Sequence, residues 1–191
     1  TLSSYGPESV LYLSYSGNSG LLSLNLPQRL WNALGATQTD LALCSRSGSV
    51  GLRMHYGERY GVDPSALGDY RLIVFWGFNP AVSAIHIWAR AVEARRSHGT
   101  AIVVVDPRRS ETAERADMWL QPAPGTDVAL AYGLIHQLFV LGAEGSEFLQ
   151  CWCSGSDALR SRASDWTPDR VEQVTGVSVG QIRELAHLYA D

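Results

Sequence analysis

The sequence predicts an α/β protein with a parallel sheet flanked by helices and, at its N-terminal end, part of a second α/β lobe. Three observations carry the prediction. Residues 72–76 (LIVFW) and 101–105 (AIVVV) are wholly apolar runs, as strands buried on both faces require. A helix-length segment separates them, and a strand–helix–strand unit is a parallel crossover. Each run stops at a polar cluster, Gly77-Phe78-Asn79-Pro80 or Asp106-Pro107-Arg108. The expected sheet is Rossmann-like, with residues 1–43 belonging to a preceding lobe and residues 44–191 forming the larger α/β domain.

Residues 10–15 (VLYLSY) read as a strand entering the turn Gly17-Asn18-Ser19-Gly20. Leu21, Leu22, Leu24, Leu26, Leu30, Trp31 and Leu34 recur at helical spacing, interrupted by Pro27, and Gly35 is the expected C-cap. Residues 41–68 predict a loop, a helix over about 48–57 and a second loop. Asn79 suits an N-cap and Pro80 a first helical turn. A helix is therefore expected over 81–97, with Ile85, Trp88, Ala89 and Val92 on its packed face. A third short strand is expected at 118–121. Pro124-Gly125-Thr126-Asp127 opens a helix over 128–141 that is apolar almost all round, which predicts deep burial. Two more helices begin near Thr167-Pro168 and at Ser178, where Ser178 and Gln181 have capping-box spacing.

Composition narrows the function. Of 191 residues, 46% are hydrophobic and 18% charged, a globular composition. Net charge is −4, and all fifteen basic residues are Arg, a poor match to a nucleic-acid partner. No stretch approaches about 18 uninterrupted apolar residues, so no membrane span is expected. Cys44, Cys151 and Cys153 form no C-x-x-C pair, which argues against a disulfide scaffold or a ribbon-type zinc site. The chain opens on Thr1 without a basic or apolar leader, and its last residues read as helix. It is expected to be a piece of a longer chain whose compartment signals lie elsewhere, so compartment stays unassigned.

In an open parallel sheet, ligands bind at the carboxyl ends of the strands. Gly77-Phe78-Asn79, Asp106-Pro107-Arg108 and Gly125-Thr126-Asp127 all fall there. The helix start before Ala81 is a candidate phosphate site, Asp106 a candidate partner for ribose hydroxyls, and Arg108 a partner for a base or phosphate. The same residues are also ordinary turn formers, and spacing alone leaves both readings open. Cys44 stands two residues before Arg46, which would favour a thiolate, yet a free Cys is most often a small buried hydrophobe. Cys151 and Cys153 flank Trp152 at an expected helix end and are read as packing residues. The five histidines, read as lying on separate helices, form no H-x-x-x-H pair.

An ordered set of motifs resembles the molybdopterin oxidoreductase family of the dimethyl sulfoxide reductase type. It comprises LYLSYSGNSG (11–20), Leu43-Cys44, Trp76-Gly77-Phe78-Asn79-Pro80, VVDPR (104–108), Glu111-Thr112-Ala113, Ala116-Asp117, Pro124-Gly125-Thr126-Asp127 and Thr175-Gly176-Val177. The resemblance runs across essentially the whole chain. It implies a bis-molybdopterin guanine dinucleotide carrying Mo or W. Gly77 and Asn79 would line its phosphates, Asp106 and Arg108 its ribose and guanine, and Gly125 and Asp127 the same nucleoside. Asn18 would lie near the pterin. Members with a Cys ligand to the metal have glycines seven and thirteen residues after it, as Gly51 and Gly57 follow Cys44. Cys44 is thus the implied metal ligand and catalytic residue, with Ser47 the alternative. Formate dehydrogenases carry a histidine directly after that ligand, and Ser45 here counts against formate oxidation.

The family's amino-terminal cysteine cluster and carboxy-terminal domain are not in this sequence. The resemblance therefore implies the central part of an oxidoreductase that transfers an oxygen or sulfur atom, or two electrons, to or from a small substrate. Its partners would be the rest of the polypeptide, with an iron–sulfur cluster in the N-terminal part and electron-transfer subunits. The rival reading is a non-catalytic homologue serving as a structural or electron-relay subunit. A generic nicotinamide-binding domain is a third reading, weakened by the lack of G-x-G-x-x-G.

Overall fold

The computed structural model describes residues 2–14, 20–39 and 46–191. They divide into two compact units, Thr1–Gly61 and Val62–Asp191, with the Ser47–Tyr56 helix in the first.

The first unit contains α1 (Leu2–Tyr5), β1 (Leu11–Tyr12), α2 (Leu21–Leu34), β2 (Thr37–Gln38) and α3 (Ser47–Tyr56). β1 and β2 are parallel, Leu11 opposite Thr37 and Tyr12 opposite Gln38. The Tyr12 ring stacks on Trp31 at 5.4 Å between centroids. α2 runs through Pro27, which forgoes one backbone hydrogen bond without ending the helix. Gly35, at φ 73°, closes it with N–H bonds from Gly35 to Asn32 O and from Ala36 to Trp31 O.

The second unit is a three-layer sandwich. Its parallel sheet has β3 (Leu72–Trp76), β4 (Ala101–Val105) and β5 (Met118–Leu120) in that order, with Leu72 opposite Ala101 and Val103 opposite Met118. Side chains alternate across a strand, and β4 shows the result. Ile102 and Val104 join Ile73, Phe75, Trp88, Ala91 and Ala94 on one face, while Val103 and Val105 join Leu120, Leu130, Val171, Ile182 and Leu185 on the other. The first face is covered by α5 (Ile85–His98) and a 3-10 segment at Pro64–Asp69. The second is covered by α6 (Asp127–Leu141), α9 (Pro168–Thr175) and α10 (Val179–Ala190). The capping box at Ser178 and Gln181 starts α10 as expected.

Four expectations are corrected. The helix predicted over 81–97 is broken at Ala84 (φ −152°, ψ 61°) into a single turn, α4 (Pro80–Ser83), and α5. Of the face expected on this helix, Trp88 is buried and Val92 half-buried, but Ile85 and Ala89 face outward, and Ala91 and Ala94 are buried with Trp88 instead. α6 is not buried all round: Ala129, Leu130, Gly133 and Gln137 are buried and Val128 and Val140 are exposed. Its flank of Leu134, Ile135 and Leu138 lines a cavity of about 350 Å³ with Val74, Trp76 and Tyr189. Cys151 and Cys153 are exposed instead of packed, because α7 (Ser146–Trp152) turns away from α6 and buries none of its residues. α8 (Ser156–Ala163) follows it. Finally, His86 and His98 share α5 and do not lie on separate helices. No single helix among the described residues is long and apolar enough to cross a membrane.

Candidate functional site

Parallel strands in register bring their carboxyl ends to one edge. Trp76 lies opposite Val105, and Val105 opposite Leu120. The Gly77 N–H donates to Val105 O at 2.8 Å and the Asp106 N–H to Leu120 O at 3.1 Å. Each loop is therefore still tied to the sheet at its first residue. Gly77, Asn79, Asp106, Arg108 and Gly125 belong to the loops that leave this edge, and Asp127 is the first residue of the helix after the third loop. Asn18, Cys44 and Ser45 lie outside the described residues.

In the loop after β3, Gly77 adopts φ +59°, a left-handed conformation natural to glycine. Nothing stands within 4 Å of where a Cβ would be, so backbone conformation and not crowding calls for glycine. Asn79 occupies the N-cap position of α4, but its side chain makes no cap bond. Its Oδ1 accepts the Thr112 N–H at 3.2 Å and the Thr112 hydroxyl at 2.7 Å, and its Nδ2 donates to Glu111 Oε2 at 2.8 Å. Two donors face the oxygen and a carboxylate faces the nitrogen, which fixes the amide's orientation.

The cap comes from a distant part of the chain. Thr112 Oγ1 accepts the Ala81 N–H at 3.0 Å, and Thr112 is completely buried. The N–H groups of Val82 and Ser83 turn back to Asn79 O at 3.1 and 3.0 Å. With α4 only four residues long, and the Ala81, Val82 and Ser83 N–H groups committed, the long-helix start expected there is replaced by a single capped turn. Among the described residues, the N–H groups of Phe78 and Asn79 are the donors this loop leaves to a ligand.

In the loop after β4, Asp106 Oδ1 accepts the Arg108 N–H at 2.8 Å. The turn-forming role is therefore real, and it uses one carboxylate oxygen. The Trp119 indole N–H donates to Asp106 O at 2.9 Å, and Gln121 Nε2 donates to Pro107 O at 2.9 Å. These bonds fasten the loop to β5 and the residue after it. The Arg108 guanidinium extends outward and donates from Nη2 to Glu111 Oε2 at 3.1 Å. That oxygen is the one that accepts from Asn79. Glu111's own backbone N–H, then Asn79 and Arg108, hold its carboxyl below the usual range.

In the loop after β5, Gly125 sits at φ +84° and Thr126 Oγ1 donates to Ala123 O at 2.6 Å. Asp127 opens α6, and its Oδ1 accepts the Trp76 indole N–H at 2.7 Å. This contact joins the third loop to the end of β3. Nothing in the sequence marks Glu111, Thr112, Trp76, Trp119 or Gln121 as site residues on chemical grounds. The signals were thin: Glu111 and Thr112 were visible in a motif, and Trp76 is the one residue of the β3 run with a polar hydrogen.

A family model described as molybdopterin oxidoreductase matches residues 1–144. The probable oxidoreductase YoaE of Bacillus subtilis is 34% identical over 187 residues, covering 97% of this chain and 27% of that protein. Formate dehydrogenase H of Escherichia coli is 28% identical over 190 residues, covering 97% and 26%. The solved structure of acetylene hydratase from Pelobacter acetylenicus superposes with a TM-score of 0.69 at 29% identity, covering 97% of this chain and 25% of that one. The chain thus spans about a quarter of the length of the proteins it matches.

Proposed function

Because this chain belongs to the molybdopterin oxidoreductase family, we propose that its sheet edge holds one guanine dinucleotide of a bis-molybdopterin guanine dinucleotide carrying Mo or W. The observation that carries the reading is the gathering of Gly77, Asn79, Asp106, Arg108, Gly125 and Asp127 at the carboxyl ends of three parallel strands. The donor set fits such a group. Asp106 keeps one oxygen clear of the turn bond to accept from ribose hydroxyls. Arg108 presents a planar guanidinium suited to a base face or a phosphate. The glycine loop after β3 offers backbone N–H groups to phosphate oxygens.

When bound, the group supplies two-electron metal chemistry. The chain's own residues bind and orient the nucleotide end, and Cys44 is the proposed thiolate ligand to the metal, a soft donor suited to it. The whole protein is then an oxidoreductase that transfers an oxygen or sulfur atom, or two electrons, to or from a small substrate. The remainder of its polypeptide closes the site and provides any iron–sulfur centre, and separate electron-transfer subunits are its natural partners.

The test uses the full-length protein. Asp106→Ala removes a charged acceptor whose hydrogen bond is worth about 1.5–3 kcal/mol. Dinucleotide affinity should fall about ten- to a hundredfold, read as guanine nucleotide released per mole of purified protein. An unchanged content would count against the reading.

A further inference from the structure

The Glu111 carboxylate joins two of the proposed nucleotide-binding loops through a single oxygen. Oε2 accepts from Asn79 Nδ2 at 2.8 Å and from Arg108 Nη2 at 3.1 Å. Asn79 is anchored in turn by the buried Thr112, through its N–H and its hydroxyl. An exposed ion pair alone gains little. This one is different because one end of the network is immobile: buried Thr112 fixes Asn79, Asn79 fixes Glu111, and Glu111 orients the otherwise mobile Arg108 stem. Order passes outward from the core to a guanidinium whose side chain is 69% exposed.

We propose that Glu111 is a positioning residue, which sets the direction of Arg108 and so strengthens the hold of this edge on an anionic nucleotide. The inference rests on the reading given under Proposed function. It makes a prediction opposite in sign to simple electrostatics. A carboxylate beside a phosphate-bearing ligand repels it, so on charge alone removing Glu111 should tighten binding. If Glu111 instead spares the ligand the cost of ordering Arg108, removing it should loosen binding.

The experiment measures retention of guanine nucleotide by the full-length holoprotein during a mild urea and salt challenge, for Glu111→Ala, Glu111→Gln, Arg108→Ala and the Arg108→Ala/Glu111→Ala double variant. The expected result is a loss about tenfold faster for Glu111→Ala. Glu111→Gln should stay near the wild type, since its amide oxygen still accepts from Asn79 and Arg108. The double variant should lose nucleotide no faster than Arg108→Ala, because Glu111 acts through Arg108. Tighter or unchanged retention in Glu111→Ala, failure of Gln to rescue, or additive losses in the double variant would each overturn the inference. Arg108→Ala and Asp106→Ala separate the two levels. If both loosen the nucleotide while Glu111→Ala does not, the positioning role alone falls. If neither does, the reading of the edge falls and the positioning role falls with it.

Discussion

Gly133 of α6 and Val171 of α9 touch so closely that a methyl group on Gly133 would lie 2.6 Å from Val171 Cγ2. Both residues are buried, so the glycine is a packing requirement between two helices on one face of the sheet. Gly133→Ala should cost about 1–3 kcal/mol by overpacking. Val171→Ala in the same molecule should relieve the clash, so the double variant should lose less than the sum of the single losses. Urea unfolding of the three variants measures this, and strict additivity would show that the helices separate freely.

Thr112 is the second buried point on which local structure depends. Thr112→Val keeps the shape but leaves the Ala81 N–H without its acceptor and Asn79 Oδ1 without its hydroxyl donor. The expected cost is about 1–3 kcal/mol. Each kcal/mol lowers Tm by about 2–4 °C in a protein of this size. Thermal unfolding of Thr112→Val and Thr112→Ser decides it. Serine keeps the hydroxyl and should recover most of the loss.

Gly77 tests conformation against crowding. With φ at +59° and nothing near the Cβ position, Gly77→Ala should cost about 1–2 kcal/mol from the left-handed backbone alone. Gly77→Asn should cost less despite its larger side chain, since Asn enters that region more readily. An Asn variant less stable than the Ala variant would point to crowding.

Acid should weaken the fold in a defined interval. Among the described residues, four carboxyls sit below their ordinary range: Asp63 through the Ser65 N–H, Glu93 through the Ser97 hydroxyl, and Glu111 and Glu144 foremost through their own backbone N–H groups. Their native values are lower than the unfolded ones, so the unfolded chain takes up these protons first on acidification. Stability is then full above the ordinary carboxylate range, about pH 4–4.5, and declines as pH falls below it. Urea midpoints at about pH 5 and about pH 3.5 should show the decline, and a midpoint that rises would contradict it.

The role proposed for Cys44 sets it apart from the other two cysteines. If Cys44 is the proposed metal ligand, Cys44→Ala in the full-length protein should sharply cut turnover while leaving much of the cofactor bound. Cys151→Ala and Cys153→Ala alter exposed side chains and should change stability by no more than about 0.5 kcal/mol. Metal-edge X-ray absorption of the Cys44 variant checks the ligand directly. An unchanged sulfur shell with retained activity would redirect attention to Ser47.

The sheet was readable because β3 and β4 are long unbroken apolar runs, and such runs have few other homes. β2 was not, since Thr37 and Gln38 carry no strand signal and pair only because Leu11 and Tyr12 run beside them. The break at Ala84 has no local sequence signal, because alanine is the best helix former. At the candidate site, the residues that border the strand ends were legible as Gly, Asp and Arg in turn positions. Glu111 and Thr112 were not, because their partner Asn79 lies more than thirty residues earlier, and no local pattern reports a pairing across that distance.

Leu72 meets its ladder partner 29 residues later, at Ala101. On a ribosome adding about 5–20 residues each second, the LIVFW run leaves the exit tunnel about 1.5–6 s ahead of the strand that covers it. For that interval the nascent chain displays an apolar segment with a free ladder edge, the kind of surface that neighbouring chains capture. Silent codon changes within residues 77–100 that slow elongation would lengthen the exposure without altering a single amino acid. The yield of native protein should therefore depend on the speed at which the α4–α5 segment is translated.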